Sequence, residues 1–363
     1  MELKENTIKV AIRCLTYNHE HFIEDAIKGF VMQQTDFPFV AIVVDDASTD
    51  KTPEILWNFI NNQLISNNIK KEETEDYVKI VAPHKTSQNC IFVIILLKYN
   101  HHSTNKSKLP YFIKWQDIAK YQAICEGDDY WTDPLKLQKQ VDYLDAHPDY
   151  TMACHRIKCF SESKQKFVRE DYCYKRSRDI RVKDIIYRSG IFIPTCSIIF
   201  RKVVTKDYPK YCLKCLVGDY PLQIMCAMKG KTYYFNDLMG VYRINIPNSW
   251  TGKQTWGRYS EQRVKVIHSQ INMFKGFAND YPQWKRVFHV KEIDQILRFM
   301  PKKWNAPKED LQKYQDAFAE ELGNLTFWER QDMKTRMCKN RVVRALYHKL
   351  YLKRFYAKSK SYE

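Results

Sequence analysis

Apolar residues recur along this chain in two rhythms. Short β-rich runs, IKVAIRCL (8–15), FVAIVV (39–44) and YVKIVA (77–82), read as buried strands. Between them the spacing becomes helical. Phe22, Ile23, Ala26, Ile27, Phe30 and Val31 share one face of residues 20–34, and Ile55, Leu56, Phe59 and Ile60 share one face of 52–65. The second helix is expected to open with Thr52 as N-cap and Pro53 in its first turn. This β-α-β-α-β alternation predicts an α/β fold, a Rossmann-like and mostly parallel sheet flanked by helices.

Further along, CIFVIILLKYNHH reads equally as strand or helix, and STNKSKLP as a polar linker, so residues 84–119 stay unordered at this level. YQAIC (121–125) is again a strand, and Asp133-Pro134 marks a helix start that Leu135, Leu137, Val141 and Leu144 continue. FIPTCSIIF reads as a strand, LVGDYPLQIMCAMKG (216–230) as an acidic turn opening a helix, and KTYYFND and LMGVYRI as two short strands before an NIPNSWTG loop. Beyond residue 251 strand signals fade, and helices are expected near 258–279, 283–300, 308–323 and 327–357. The chain is therefore expected to divide into an α/β domain, 1–250, and a helical, basic C-terminal region, 251–363.

Composition adjusts this picture. With 363 residues, 44% of them hydrophobic, the chain can bury a large core. Its 10 glycines form neither a G-x-x-x-x-G-K-[ST] loop nor a G-x-G-x-x-G turn, which removes the two commonest nucleotide motifs. The charged N-terminus has no signal-peptide pattern. The longest aliphatic run, Ile91–Leu97, is far below the ~18 residues of a spanning helix, so a cytoplasmic location is expected. Eleven cysteines, an odd number, read as reduced thiols. CHRIKC (Cys154, His155, Cys159) and CLKC (Cys212, Cys215) lack the partner spacing of a regular zinc module.

The net charge of +17 is uneven: from Arg330 to Lys360 there are eleven Lys or Arg against one acid, Asp332. Within this stretch RVVRALYHKLYLKRFY has the character of a basic amphipathic helix. Such a helix suits the inner face of a membrane, or else packs on the catalytic domain with its charges in water. No nucleic-acid-binding module accompanies it, so nucleic acid is not an expected partner.

Polar residues gather at the strand ends: LTYNHE after the first, DDASTD after the second, CEGDDYWTDP after the YQAIC strand. In a parallel sheet these ends form the ligand crevice. Adjacent carboxylates there repel one another and favour a hard cation, Mg²⁺ or Mn²⁺, which takes one or two carboxylates plus substrate phosphates. Asp129, with Asp128 beside it, is the candidate metal site. Asp46 and the turn Thr16-Tyr17-Asn18 are placed to hold base and ribose, and Asp219, at the mouth of a later helix, to act as general base.

The ordered set TYN, VVDDASTD, CEGDDYW, VGDYPL and VYRINIPNSW resembles the inverting glycosyltransferases of family 2, with the GT-A fold, over roughly residues 7–252. The likeness is nearest to bacterial members that build surface polysaccharides. It implies transfer of a sugar from a nucleotide-diphosphate donor, by family habit a UDP-sugar, to a hydroxyl of a glycan or lipid-linked glycan. It implies Thr16 and Tyr17 flanking the nucleotide, Asp46 bonding the base, Asp128 near ribose or sugar, Asp129 on the metal and Asp219 as base. Two departures stand out. Asn245 occupies a place where similar proteins carry a histidine ligand, leaving Arg243 to meet the diphosphate, and Ala119 replaces a usual glycine. Two other readings compete: a non-catalytic nucleotide- or glycan-binding protein with a degenerate site, and a sugar nucleotidyltransferase.

Overall fold

The computed structural model describes residues 8–171, 173–188, 192–246, 258–301, 306–336, 340, 342–343, 345–346 and 349–350. The expected NIPNSWTG loop beyond Ile246, Trp250 included, and much of the basic C-terminal helix lie outside the described residues. The chain forms two compact units: Met1–Asp207 with Leu222–Ile246, and Tyr208–Pro221 with Pro247–Glu363.

In the first unit β1 (Ile8–Thr16) leads to α1 (Ile23–Val31), β2 (Phe39–Asp45), α2 (Thr52–Gln63), β3 (Lys70–Glu73), β4 (Tyr77–Pro83), β5 (Cys90–Leu97), α3 (Leu109–Ile118) and β6 (Ala119–Ile124). There follow β7 (Tyr130–Trp131), α4 (Lys136–Ala146), β8 (Tyr150–Ser161), β9 (Lys166–Asp171), β10 (Arg178–Asp179), α5 (Val182–Arg188) and β11 (Ile199–Arg201). α6 (Lys210–Leu213) belongs to the second unit; α7 (Asp219–Lys229) and β12 (Lys231–Ile244) lead back into the first.

The main sheet runs β10-β12-β8-β11-β6-β1-β2-β5-β4-β3. β1 is parallel to both β2 and β6, and β2 to β5; β11 is antiparallel to β6 and β8. Strand alternation builds two cores. Phe39, Ala41 and Val43 of β2 face the layer that holds α1, α2 and α4, while Val40, Ile42 and Val44 face Phe112 and Trp115 of α3. Each such Ile or Val contributes roughly 1.5–3 kcal/mol on burial.

Three expectations are corrected here. The parallel neighbour of β2 is β5, from the ambiguous CIFVIILL run, and the YVKIVA strand lies outside it, antiparallel. The physical reason is burial: β5 is almost wholly buried, as a central strand must be, whereas β4 is largely half-exposed. KTYYFND and LMGVYRI are one strand, β12, which stays paired with β8 through register shifts between Phe235 and Gly240. Thr52 is not the cap of α2. It is buried in the first turn; Lys51 stands at the cap position, and Asp50 before it accepts from the Thr52 N–H through Oδ1 at 2.9 Å.

The second unit also holds α8 (Glu261–Asp280), α9 (Lys285–Phe299), α10 (Lys308–Ala317), α11 (Ala319–Gly323) and α12 (Phe327–Arg336). Ile267, Ile271, Ile296, Leu297, Tyr314 and Phe318 form its core. Among the described residues no helix is long and apolar enough to cross a membrane. The ten described cysteines are buried and free, and no group of three His, Cys, Asp or Glu is gathered as a metal cage among the described residues.

Candidate active site

β1 and β2 end side by side, Thr16 opposite Asp45, and the Asp46 N–H donates to the Thr16 carbonyl at 2.9 Å. Their two turns are tied to each other. Asn18 and Ala47 take left-handed conformations (φ 54° and 57°). The Asn18 N–H reaches Ser48 Oγ at 2.8 Å, and Asn18 Oδ1 accepts from the Thr49 N–H at 2.8 Å. Asp45, fully buried, holds Ser48 through its N–H and hydroxyl; burial raises its carboxyl pKa to about 6 against the opposing effect of those bonds. Tyr17 projects from this turn and is 45% exposed. Thr16 is buried, and its Oγ1 has no hydrogen-bond partner.

The acid turn follows β6. Gly127 donates its N–H to the Leu15 carbonyl at 2.8 Å, so the turn lies directly against the end of β1. A Cβ on Gly127 would meet the Thr16 Cβ and Oγ1 at 2.8 Å and His19 Nδ1 at 2.9 Å, so no side chain fits. Glu126 Oε2 accepts from the Leu15 N–H at 2.8 Å, and its Oε1 faces Arg13; burial raises its pKa, opposed chiefly by Arg13. Asp129 is 2% exposed. Its pKa stands well above the carboxylate range, first through burial, then through the charge of Asp128, with the Arg243 N–H opposing. That N–H donates to Asp129 Oδ1 at 2.9 Å, and the buried Cys196 thiol also bonds this carboxyl.

This donor set fits a hard divalent cation. It is all oxygen, with Asp129 buried and Asp128 half-buried, and carries mutual repulsion that a cation would relieve. The residues that would hold it are Asp128 and Asp129. Asn245, where a histidine was the expected third ligand, has φ 59° and donates Nδ2 to Ser161 Oγ at 3.1 Å.

Arg243, near the end of β12, is heavily engaged. Its Nη1 donates to the Asp128 carbonyl at 2.9 Å, its Nε lies 3.1 Å from Glu162 Oε1, and its Nη2 bonds Asp25 of α1. The guanidinium also sits 4.6 Å from the Tyr130 ring centroid and 5.1 Å from that of Phe22.

Of the residues singled out in the sequence, Thr16, Tyr17, Asn18, Asp46, Asp128, Asp129 and Arg243 thus meet at the strand ends of the first unit. Asp219 is partly exposed at the start of α7 and belongs to the second unit. Sequence reasoning passed over Asp25 and Glu162, which no local pattern marks. It also passed over His19, although that residue stands within the TYNHE cluster. His19 Nδ1 has no hydrogen-bond partner, and burial lowers its pKa against the pull of Asp128 and Asp50.

The chain is similar to known proteins in sequence and in fold. The family described as "Glycosyl transferase family 2" matches residues 14–78. Uncharacterized proteins of Mycobacterium bovis and Mycobacterium tuberculosis are each 31% identical over 272 residues, which is 74% of this chain and 69% of theirs. Among solved structures, S. aureus TarS 1–349 in complex with UDP is similar at a TM-score of 0.55 and 14% identity. That likeness covers 98% of this chain and 90% of the other, and it speaks to the fold. The chain belongs to glycosyltransferase family 2 and has the GT-A fold.

Proposed function

We propose that this glycosyltransferase moves a hexose-type unit from a UDP-sugar to a hydroxyl of a glycan or lipid-linked glycan, with inversion, in the synthesis of a surface polysaccharide. The observation that carries this reading is the pair of adjacent carboxylates Asp128 and Asp129, the second of them buried and held against the ends of β1 and β12, its charge opposed by that of Asp128. Thr16, Tyr17, Asn18 and Asp46 bound the nucleoside side of the site. Asp128, Asp129 and Arg243 bound the diphosphate side. Asp129 and Asp128 would hold a divalent cation, Mn²⁺ or Mg²⁺, whose charge would neutralise the diphosphate as leaving group.

Asp219 acts as general base. Its carboxylate takes the proton of the acceptor hydroxyl as that oxygen bonds the anomeric carbon and the bond from that carbon to the diphosphate oxygen breaks. Proton removal of this kind contributes typically ~10²–10⁴-fold in rate. In the cell we place the protein in the cytoplasm at the inner face of the membrane, met through the basic C-terminal region. The exposed Phe327 and Trp328 support that placement.

The test is a melting-temperature panel of UDP, GDP, CDP and dTDP, each with Mn²⁺ or with EDTA. Ligand at 100 times its dissociation constant stabilises by ~2.7 kcal/mol. UDP with Mn²⁺ is expected to stabilise the protein, and Asp129→Ala to abolish the metal-dependent shift. Asp219→Asn should keep the shift and lose sugar transfer. No shift with any nucleotide would favour a degenerate binding protein, and pyrophosphate release from UTP and a sugar phosphate a nucleotidyltransferase.

A further inference from the structure

The segment that sequence alone leaves unordered, between β5 and α3, folds around Asp46. His101 N–H donates to Asp46 Oδ1 at 2.7 Å, His102 N–H to Oδ2 at 3.2 Å, and Lys108 Nζ to Oδ2 at 2.9 Å. Asn100 Nδ2 adds a bond to the Asp46 carbonyl at 2.9 Å. The loop is also braced internally. Lys106 N–H reaches the His101 carbonyl at 2.9 Å, His101 Nε2 meets the Tyr111 hydroxyl at 3.0 Å, and the His101 ring stacks on Tyr99 at 4.7 Å. Asp46 and His101 are buried, whereas His102 to Lys106 face outward.

A carboxylate offers about four acceptor directions, and three of those of Asp46 are taken by its own chain. The residue is only 4% exposed. One direction is left open to a nucleobase, and any further bond would displace a backbone N–H or Lys108, a loss of roughly 1–3 kcal/mol. Lys108 also neutralises the charge that such a contact would use.

We infer that Lys108 is a positioning residue of the donor site. With Asp46 it latches Asn100–Lys108 across the carboxyl end of β2 and so fixes the Asp46 carboxylate and this segment on the nucleoside side of the site. The inference rests on the donor-site reading above for its ligand, a nucleoside diphosphate, but the latch itself does not.

The experiment compares wild type, Lys108→Met, Lys108→Arg, Asp46→Asn and the Lys108→Met/Asp46→Asn double variant in two assays. The first is tryptic cleavage after Lys106 without nucleotide. The second is calorimetry of UDP and of inorganic pyrophosphate with Mn²⁺. Lys108→Met is expected to speed cleavage after Lys106 and weaken UDP about tenfold, the loss of one charge-assisted bond. Pyrophosphate affinity should stay unchanged, Lys108→Arg should restore both readouts, and the double variant should bind UDP no worse than Asp46→Asn. If Asp46→Asn weakens UDP while Lys108→Met changes neither cleavage nor affinity, Asp46 acts without the latch and the inference is overturned. If wild type binds no nucleotide, the donor-site reading and the positioning half of this inference fall together. The tryptic comparison then still decides the latch.

Discussion

Lys136 occupies the first turn of α4 with no exposed surface, its ammonium 3.7 Å from the Trp131 ring centroid and without a hydrogen-bond partner. Burial pulls its pKa down to about 7, against the opposing influence of Cys125 and Cys196. The protonated form is therefore penalised in the native state. The unfolded chain binds the extra proton between pH 7 and about 10.4, so native stability rises with pH across that window. A cation–π contact of up to ~2 kcal/mol offsets only part of the penalty. Lys136→Met is expected to stabilise the protein at pH 6 by about 1–3 kcal/mol, with the advantage shrinking by pH 9.5. Urea unfolding at the two pH values measures this, and a variant less stable at both would show that the ammonium has a partner. Nothing local in DPLKLQKQ marks this lysine as different from Lys139, which pairs with Asp133 near the surface. Its burial is set by Trp131 and Cys196, which come from other segments. By contrast Thr16, Asp46 and Asp128–Asp129 were legible, because strand ends in a parallel sheet are where polar clusters have few structural uses.

Elements were legible where one rhythm persisted and not where context chose between two. α1 and β1 follow from their own spacing. The CIFVIILL run fits a strand or a buried helix, and only the parallel pairing with β2 decides it. A plain local signal also went unread. Thr326-Phe327-Trp328-Glu329 is a capping box: Glu329 Oε2 accepts from the Thr326 N–H at 2.8 Å, and the Glu329 N–H returns to Thr326 Oγ1 at 3.4 Å. Glu329 also meets His289 Nε2 of α9 at 3.0 Å. Its pKa falls to about 2 although burial alone would raise it; bonds from His289 and Thr326 outweigh burial. The Glu329 carboxylate thus contributes stability above its unfolded value of about 4.3, and this is lost as pH falls toward 2. The same bond raises the pKa of His289, whose contribution is present below about 6.5 and is lost as pH rises through its folded value. Both operate near pH 5.5. Glu329→Gln is expected to cost about 2 kcal/mol there, allowing for the half-exposed imidazole, and less at pH 8. A cost independent of pH in chemical denaturation would leave the capping bonds as its whole source.

Across the whole molecule, the site is joined from segments that no sequence window contains together. Strand order was only partly legible: a mostly parallel sheet follows from alternation, but the placing of β6 beside β1, the outward placing of β4 and the unbroken run of β12 do not. Arg243 is the sharpest case, since its partner Asp25 is 218 positions away. Its place after Tyr242 suggested a diphosphate ligand. In the fold, the guanidinium also joins α1, the acid turn and Glu162, while its backbone fixes one oxygen of Asp129. These two roles respond oppositely to Asp25→Asn. A guanidinium released from Asp25 would bind diphosphate as well as before or better. A guanidinium that steadies the acid turn would do so less well, and cation-dependent binding would suffer. We expect the second outcome: Asp25→Asn and Arg243→Met each weaken UDP about tenfold with Mn²⁺ and leave its affinity in EDTA unchanged. Arg243→Lys should recover little, because a point charge cannot bridge two carboxylates and a carbonyl at once. Calorimetry with and without Mn²⁺ separates the cases, and tighter UDP binding by Asp25→Asn would make Arg243 a direct ligand of the donor phosphates.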